Sequence, residues 1–141
     1  MEGYSILPYS HYRDDELKPL YESVGWTSYL RYPELLPKAY ANSLKAFAAF
    51  DGTRLVGIIR AVGDGVSILY IQDLLVHPEY QHRGIGKRLI TEILNAFPDV
   101  NQTVLLTDDS DETVRFYESV GFQKVQRADC CSFIRLHSFY G

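Results

Sequence analysis

Between Gly84 and Ala96 the apolar residues Ile85, Leu89 and Ile93 recur every four positions, with Ile90 and Leu94 beside them and Phe97 just beyond. That period predicts an amphipathic helix with one apolar stripe. The stretch before it reads differently. Lys45 to Phe50 and Arg54 to Val62 are strand-like and flank Asp51-Gly52, a strong hairpin pair. Gly63-Asp64-Gly65 predicts a second turn into a long strand from Ser67 to His77. Two hairpins in succession imply an antiparallel meander. Upstream, Tyr4 to Tyr9 reads as a short strand and Asp14 to Val24 as a helix that Pro19 kinks or restarts. Trp26 to Pro37 is aromatic and broken by prolines, and a short helix is expected from Pro37 to Leu44. Downstream, Thr103 to Thr107 predicts a short strand. Asp111 to Val120 predicts a helix capped by Asp109 or Ser110, with Glu112 in the favourable first turn. Phe122 to Gln126 and Cys131 to His137 are expected to close the chain as strands. This order places the chain in the α+β class, with a mixed, mostly antiparallel sheet flanked by helices.

Composition narrows the field. The chain has 141 residues, 46% of them hydrophobic and 23% charged, which fits one globular domain spanning 1–141. A net charge of -4 argues against a general nucleic-acid binder, which needs a basic field to displace counterions. No apolar run approaches the ~20 residues of a membrane span, and Met1 to Tyr12 lacks the pattern of a signal peptide. Cys130 and Cys131 are adjacent, so on a strand they point to opposite faces; a structural disulfide is not expected and a reducing cytoplasm is. Asp108, Asp109, Asp111 and Glu112 lack the spacing of a calcium loop and read as a solvated helix start; no metal site is expected. Tyr21-Glu-Ser-Val-Gly25-Trp26 nearly repeats as Tyr117-Glu-Ser-Val-Gly121-Phe122. Shared helix-ending grammar explains the pair, with Gly in the left-handed position.

The chemistry concentrates in Val76-His-Pro-Glu-Tyr-Gln81-His-Arg83-Gly84-Ile-Gly86-Lys87-Arg88. A long strand ends there and a helix begins. Helix starts leave backbone N–H groups unpaired, and the dipole adds partial positive charge. Gly84 and Gly86 allow close approach, while Arg83, Lys87 and Arg88 add full charges, which makes an anion cradle suited to a pyrophosphate. The third glycine of a dinucleotide fingerprint is missing, and no P-loop is present.

Gln81-x-x-Gly84-x-Gly86, the preceding Asp73-Leu-Leu-Val-His-Pro-Glu-Tyr, and Phe116-Tyr117-Glu-Ser-Val-Gly121-Phe122 together resemble the GNAT superfamily of acetyl-CoA-dependent N-acetyltransferases. The resemblance implies an acyl-CoA N-acyltransferase fold with two splayed central parallel strands ending near Val76 and Thr107. It implies acetyl-CoA as cosubstrate, held by Leu75, Val76, Gln81, His82, Arg83, Gly84, Ile85, Gly86, Lys87 and Arg88. Backbone groups of Leu75 and Val76 would take the pantetheine arm, and the N–H groups from Arg83 to Lys87 the pyrophosphate. It also implies that Tyr117 sits beside the CoA sulfur, where a phenol of pKa near ~10 can protonate a thiolate of pKa near ~8.5. Val114, Tyr117 and Val120 share a helix face, so packing is the alternative for Tyr117. Many relatives carry Asn seven residues before this tyrosine; Ser110 stands there instead.

An alkylammonium must lose a proton before it attacks. Asp73 interrupts an apolar strand face of Leu69, Ile71 and Leu75, which makes it a candidate general base; the equal alternative is a partner for Arg60. His77 and Glu79 are weaker candidates. By the resemblance, Trp26 to Tyr40 builds the acceptor pocket, with Trp26, Tyr29 and Tyr32, and also Tyr40, able to stack on a ring or hold a cation. The expected activity is acetyl transfer to a primary amine of a small molecule or protein by direct attack, with no membrane or nucleic-acid partner. The apolar tail Phe133 to Tyr140 permits a homodimer. The competing readings are a non-catalytic acetyl-CoA sensor and a nucleotide-binding protein using Gly84-Ile-Gly86.

Overall fold

The computed structural model describes residues 3–137. They fall into two compact units, one ending at Leu106 and the other starting at Thr107. The first contains β1 (Tyr4–Pro8), α1 (Asp14–Ser23), α2 (Leu35–Ala41), β2 (Lys45–Asp51), β3 (Arg54–Gly63), β4 (Ile68–Val76), α3 (Ile85–Ala96) and β5 (Gln102–Leu105). The strands form one sheet in chain order, antiparallel throughout except for the parallel pair β4–β5. That pair stands at one edge of the sheet rather than at its centre.

Local chemistry sets the turns. Asp51 pairs with Arg54, so Gly52 and Thr53 form a two-residue hairpin loop with Gly52 at φ 61°. In the next turn Asp64 Oδ1 accepts from the backbone N–H groups of Val66, Ser67 and Ile68, a side chain standing in for backbone pairing. These contacts hold the Asp64 carboxyl well below the usual carboxylate range, the Ser67 hydroxyl contributing most. Pro19 does not break α1: it lies on the exposed face of the helix.

The sheet is covered on both sides. Leu17, Leu20 and Tyr21 of α1 and Leu36 of α2 pack on Ala48, Ile58 and Leu75. α3 lies on the opposite face and buries Ile85, Leu89, Ile90 and Ile93. Gly57 of β3 sits beneath it: a Cβ there would lie 3.2 Å from both Ile85 Cγ2 and Leu89 Cδ1. Its missing side chain is what lets α3 approach.

The second unit holds α4 (Asp111–Ser119) and a 3-10 turn at Val125–Ala128. Here two expectations fail. Neither Phe122 to Gln126 nor Cys131 to His137 is a strand. Asp129 adopts a left-handed conformation at φ 59°, and Cys130 N–H folds back on Val125 O. Apolar alternation marks residues able to cover a face, but a strand exists only with a ladder partner. Phe133 is 92% exposed, Ile134 68% and Leu136 71%.

The near-repeat closes two helices identically. Trp26 N–H bonds Tyr21 O and Gly25 N–H bonds Glu22 O; Phe122 N–H bonds Tyr117 O and Gly121 N–H bonds Glu118 O. With Gly25 at φ 78° and Gly121 at φ 99°, both are Schellman caps.

Candidate active site

β4 and β5 pair only from Ile68 opposite Gln102 to Ile71 opposite Leu105, yet β4 continues to Val76. Backbone parity decides which groups face the side that β5 has left. His77 N–H bonds Val56 O at 2.8 Å, and alternation from there turns the backbone of Leu75 and Asp73 toward β3. Leu74 and Val76 therefore turn theirs away from β3. Of the two residues expected to take an added strand, Val76 has the right parity and Leu75 does not. Leu75 instead buries its side chain in the α1 core.

Beyond Val76 the chain makes a 3-10 turn at Pro78–Tyr80, capped by His77 Nδ1, which accepts from Glu79 N–H at 3.1 Å. Gln81 donates its amide to Val76 O at 3.0 Å and ties the loop to the strand end. His82 (φ 64°) and Gly84 (φ 81°) are both left-handed. For His82 this is a conformation few side chains adopt. The first intrahelical bond of α3 runs from Arg88 N–H to Gly84 O, so the N–H groups of Ile85, Gly86 and Lys87 precede it and point out of the helix start. Among the cations, Arg83 donates to Tyr4 OH at 2.7 Å and lies 5.2 Å from the Tyr80 ring centre. Arg88 donates to Tyr4 O at 3.3 Å, and Lys87 is exposed. Left-handed residues, open N–H groups and three anchored or exposed cations suit a pyrophosphate.

On the α1 face, Asp73 is 1% exposed and Arg60 4%. Arg60 Nε donates to Asp73 Oδ2 at 2.8 Å, Tyr21 OH to the same oxygen at 2.9 Å, and Tyr29 OH to Oδ1 at 2.7 Å. The cluster extends outward. Tyr40 OH meets Tyr21 OH at 2.7 Å, Arg60 Nη1 donates to Ser43 Oγ at 3.1 Å, and Gln72 donates to Tyr29 OH at 3.1 Å. Burial alone would lower the Arg60 guanidinium; the Asp73 charge and bond outweigh it and leave it raised. Burial, then the Asp73 charge, pushes the Tyr29 phenol up to about 12. Both Asp73 oxygens are thus occupied by fixed donors.

Trp26, Tyr29 and Tyr21 form a ring cluster, with centroids 5.0 Å apart for Tyr21–Tyr29 and 6.5 Å for Trp26–Tyr29. Trp26 is 38% and Tyr32 37% exposed, so this edge is open to solvent. Tyr40 joins this cluster through its hydroxyl on Tyr21, and the Arg60 guanidinium lies 5.3 Å from its ring centre.

In the second unit, Ser110 caps α4: its Oγ accepts from Thr113 N–H at 3.3 Å, and its own N–H bonds Asp108 at 2.9 Å. Tyr117 packs edge-on against Phe116 and Phe122. Burial, then the Asp108 charge, holds its phenol above the usual range.

Comparison with known proteins decides the family. The sequence model of the acetyltransferase (GNAT) domain matches residues 27–138. The chain belongs to the GNAT acetyltransferases. A solved GNAT family acetyltransferase from Streptococcus pneumoniae is 36% identical, superposes with a TM-score of 0.86, and is matched over 96% of this chain and 98% of its own. An uncharacterized N-acetyltransferase, ycf52-like, from Prochlorococcus marinus is 33% identical over 84% of this chain and 67% of its own length. A ycf52 protein of Gracilaria tenuistipitata is 32% identical over 76% of this chain and 60% of its own. The chain thus spans about two thirds of the length of these curated relatives.

For this GNAT domain, sequence reasoning found the loop residues from Gln81 to Arg88 because Gly and Arg mark a turn and a charge locally. It missed Tyr21 and Tyr4 altogether, and it named Tyr29 for the acceptor pocket without foreseeing its bond to Asp73. Tyr21 and Tyr29 reach Asp73 from far upstream, and Tyr4 meets Arg83 from the chain start. No local pattern signals such partners. The one available hint was a surplus of 11 tyrosines.

Proposed function

We propose that this GNAT domain, 1–141 taken as one catalytic module, transfers an acetyl group from acetyl-CoA to a primary amine by direct attack. The observation that carries the reading is the continuation of β4 to Val76 past its last pair with β5, directly before a loop of left-handed residues at a helix start. The strand extension supports an added-strand contact for an extended pantetheine arm through Val76, and the N–H groups of Ile85, Gly86 and Lys87 support a pyrophosphate. Bound there, acetyl-CoA supplies an activated thioester. An N–H near Val76 would stabilise the oxyanion that develops on attack.

Tyr117 is the proposed acid for the leaving sulfur. The phenol is protonated at neutral pH and has a proton to give, although burial, then the Asp108 charge, makes it a weaker acid than a free phenol. Of the two roles open to Asp73, its contacts favour the partner: with Arg60, Tyr21 and Tyr29 on its oxygens, it positions the Tyr29 ring, and the amine proton passes to solvent water as the C–N bond forms and the C–S bond breaks. Trp26, Tyr29 and Tyr32 form the proposed acceptor surface, whose ring faces suit a cationic amine. Among the described residues no helix is long and apolar enough to cross a membrane, and Cys130 and Cys131 are free, which favours a reducing compartment such as the cytoplasm. Exposed Phe133, Ile134 and Leu136 favour a homodimer, which sedimentation would read as twice the chain mass.

The test is thiol release from acetyl-CoA across a panel of amines. Amine-stimulated release supports transfer. Saturable CoA binding with no stimulated release by any amine refutes it and leaves an acetyl-CoA sensor.

A further inference from the structure

The register of β3 against β4 slips once. Arg60 pairs with Asp73 and Ala61 with Ile71, so Gln72 is an extra residue with no partner on β3, a β-bulge. The last pair of β4 with β5 is Ile71 opposite Leu105, so Gln72 is also the first residue that β5 leaves uncovered. Ile71 and Asp73 on either side are buried, whereas Gln72 is exposed. Strict alternation would aim Gln72 and Asp73 at opposite faces. The bulge re-aims Gln72, and both side chains reach one hydroxyl: Gln72 Nε2 lies 3.1 Å and Asp73 Oδ1 2.7 Å from Tyr29 OH.

Hydrogen-bond polarity then fixes the amide. A carboxylate only accepts, so Tyr29 gives its single proton to Asp73 Oδ1. Burial, then the Asp73 charge, pushes that phenol up to about 12, so the proton stays in place at neutral pH. The Tyr29 oxygen is left only to accept, and Gln72 meets it with its NH2 group. Turning the amide over would set its carbonyl against an oxygen with no proton left to give. Gln72 is thereby held with its nitrogen on Tyr29 and its Oε1 turned away from it. Oε1 is open to solvent and needs no ligand to satisfy it; what the network supplies is its orientation. The buried charge of Asp73 reaches the surface as a directed carbonyl dipole.

The position suits the acceptor. A pantetheine arm that enters from the helix-start cradle beyond Val76 and pairs with the free edge of β4 has to run upstream, and β5 closes that edge at Ile71. Its reactive end therefore lies upstream of Val76, toward Gln72 and the Trp26 and Tyr29 rings. The charges beside it are committed: both Asp73 oxygens carry donors, and Arg60 is bonded to one of them. An incoming amine meets an acceptor atom there rather than a free counter-charge.

We propose that Gln72 Oε1 accepts an N–H of the attacking amine, and that Tyr29, held by Asp73, keeps the amide in the orientation that allows it. Gln72 takes no proton; it positions the nitrogen. The inference rests on the acetyl-transfer reading and adds a substrate-positioning residue to it. The test combines thiol-release kinetics with calorimetry on the CoA-loaded protein, where there is no acetyl group to transfer. Both use the most active amine of the panel, benzylamine and butylamine included. Gln72→Leu is expected to raise the amine KM and Kd about tenfold, as for one net hydrogen bond, with the KM for acetyl-CoA unchanged. Tyr29→Phe keeps the ring but releases the amide, and is expected to weaken the amine as well. The double variant is expected to bind it no more weakly than the weaker single one, because the two residues act as a unit. An amine KM and Kd unchanged in Gln72→Leu overturn the proposal and leave acetyl transfer standing; so do single-variant losses that add in the double variant. Absence of stimulated release by every amine overturns the acetyl-transfer reading and this proposal with it.

Discussion

Replacing Asp73 with alanine removes the acceptor for three donors at once and leaves the Arg60 guanidinium, 4% exposed, without its counter-charge. The pair meets at 2.8 Å. Charge centres about 4 Å apart interact by about 4 kcal/mol at an effective dielectric near 20. Breaking a buried pair by removing one partner costs about 3–5 kcal/mol, because the other charge stays buried. That is a large fraction of the roughly 5–15 kcal/mol by which domains are stable. Urea unfolding followed by circular dichroism reads it directly: with a slope of about 2 kcal/mol/M, the midpoint of Asp73→Ala falls by about 2 M. The double variant Arg60→Met/Asp73→Leu removes both charges and is expected to recover to within about 1 kcal/mol of the parent. A single variant that loses less than about 1 kcal/mol refutes the buried-pair reasoning. A double variant no more stable than the single one does the same.

Gly84→Asp places a carboxylate at a left-handed helix start and is expected to weaken CoA binding on the order of 100-fold, about 2.7 kcal/mol by calorimetry; unchanged affinity in a folded variant removes the cradle. Tyr117→Phe is expected to lower turnover about 100-fold, the lower end of the range for general acid catalysis, with an unchanged melting temperature; full activity leaves Tyr117 as packing. Tyr29 is held protonated in the folded state to about 12, whereas an unfolded phenol titrates near ~10. Its contribution to stability is complete below the unfolded value and lost as pH rises from there toward the folded one, so tyrosinate absorbance at 295 nm should rise together with alkaline unfolding. Free titration of all tyrosines near ~10 in a still-folded protein would contradict this. Gly57→Val pushes side-chain atoms into Ile85, Leu89 and the Leu75 carbonyl, and is expected to cost about 1–3 kcal/mol in the same urea assay.

Local grammar accounts for most of the element order. The four-residue period produced α3, Asp64 and Gly52 produced their turns, and one Tyr-x-x-x-Gly-aromatic pattern closed two helices with the same pair of bonds. Helices, turns and caps answer to neighbours within a few residues, so a single sequence displays them. The loop from Gln81 to Arg88 was legible for the same reason.

What depended on distant partners was not legible. Phe122 to Gln126 and Cys131 to His137 carry strand-like residues yet lack a ladder, and a strand is defined by its neighbour rather than by its own composition. That Tyr21 and Tyr29 join Arg60 on the Asp73 carboxylate was visible only once these distant segments were packed together. The parity that turns Val76 outward and Leu75 inward needed one bond, His77 to Val56. A residue's type says what it is able to bind. The packing of α1 and β3 against β4 decided which atoms were left free to bind it.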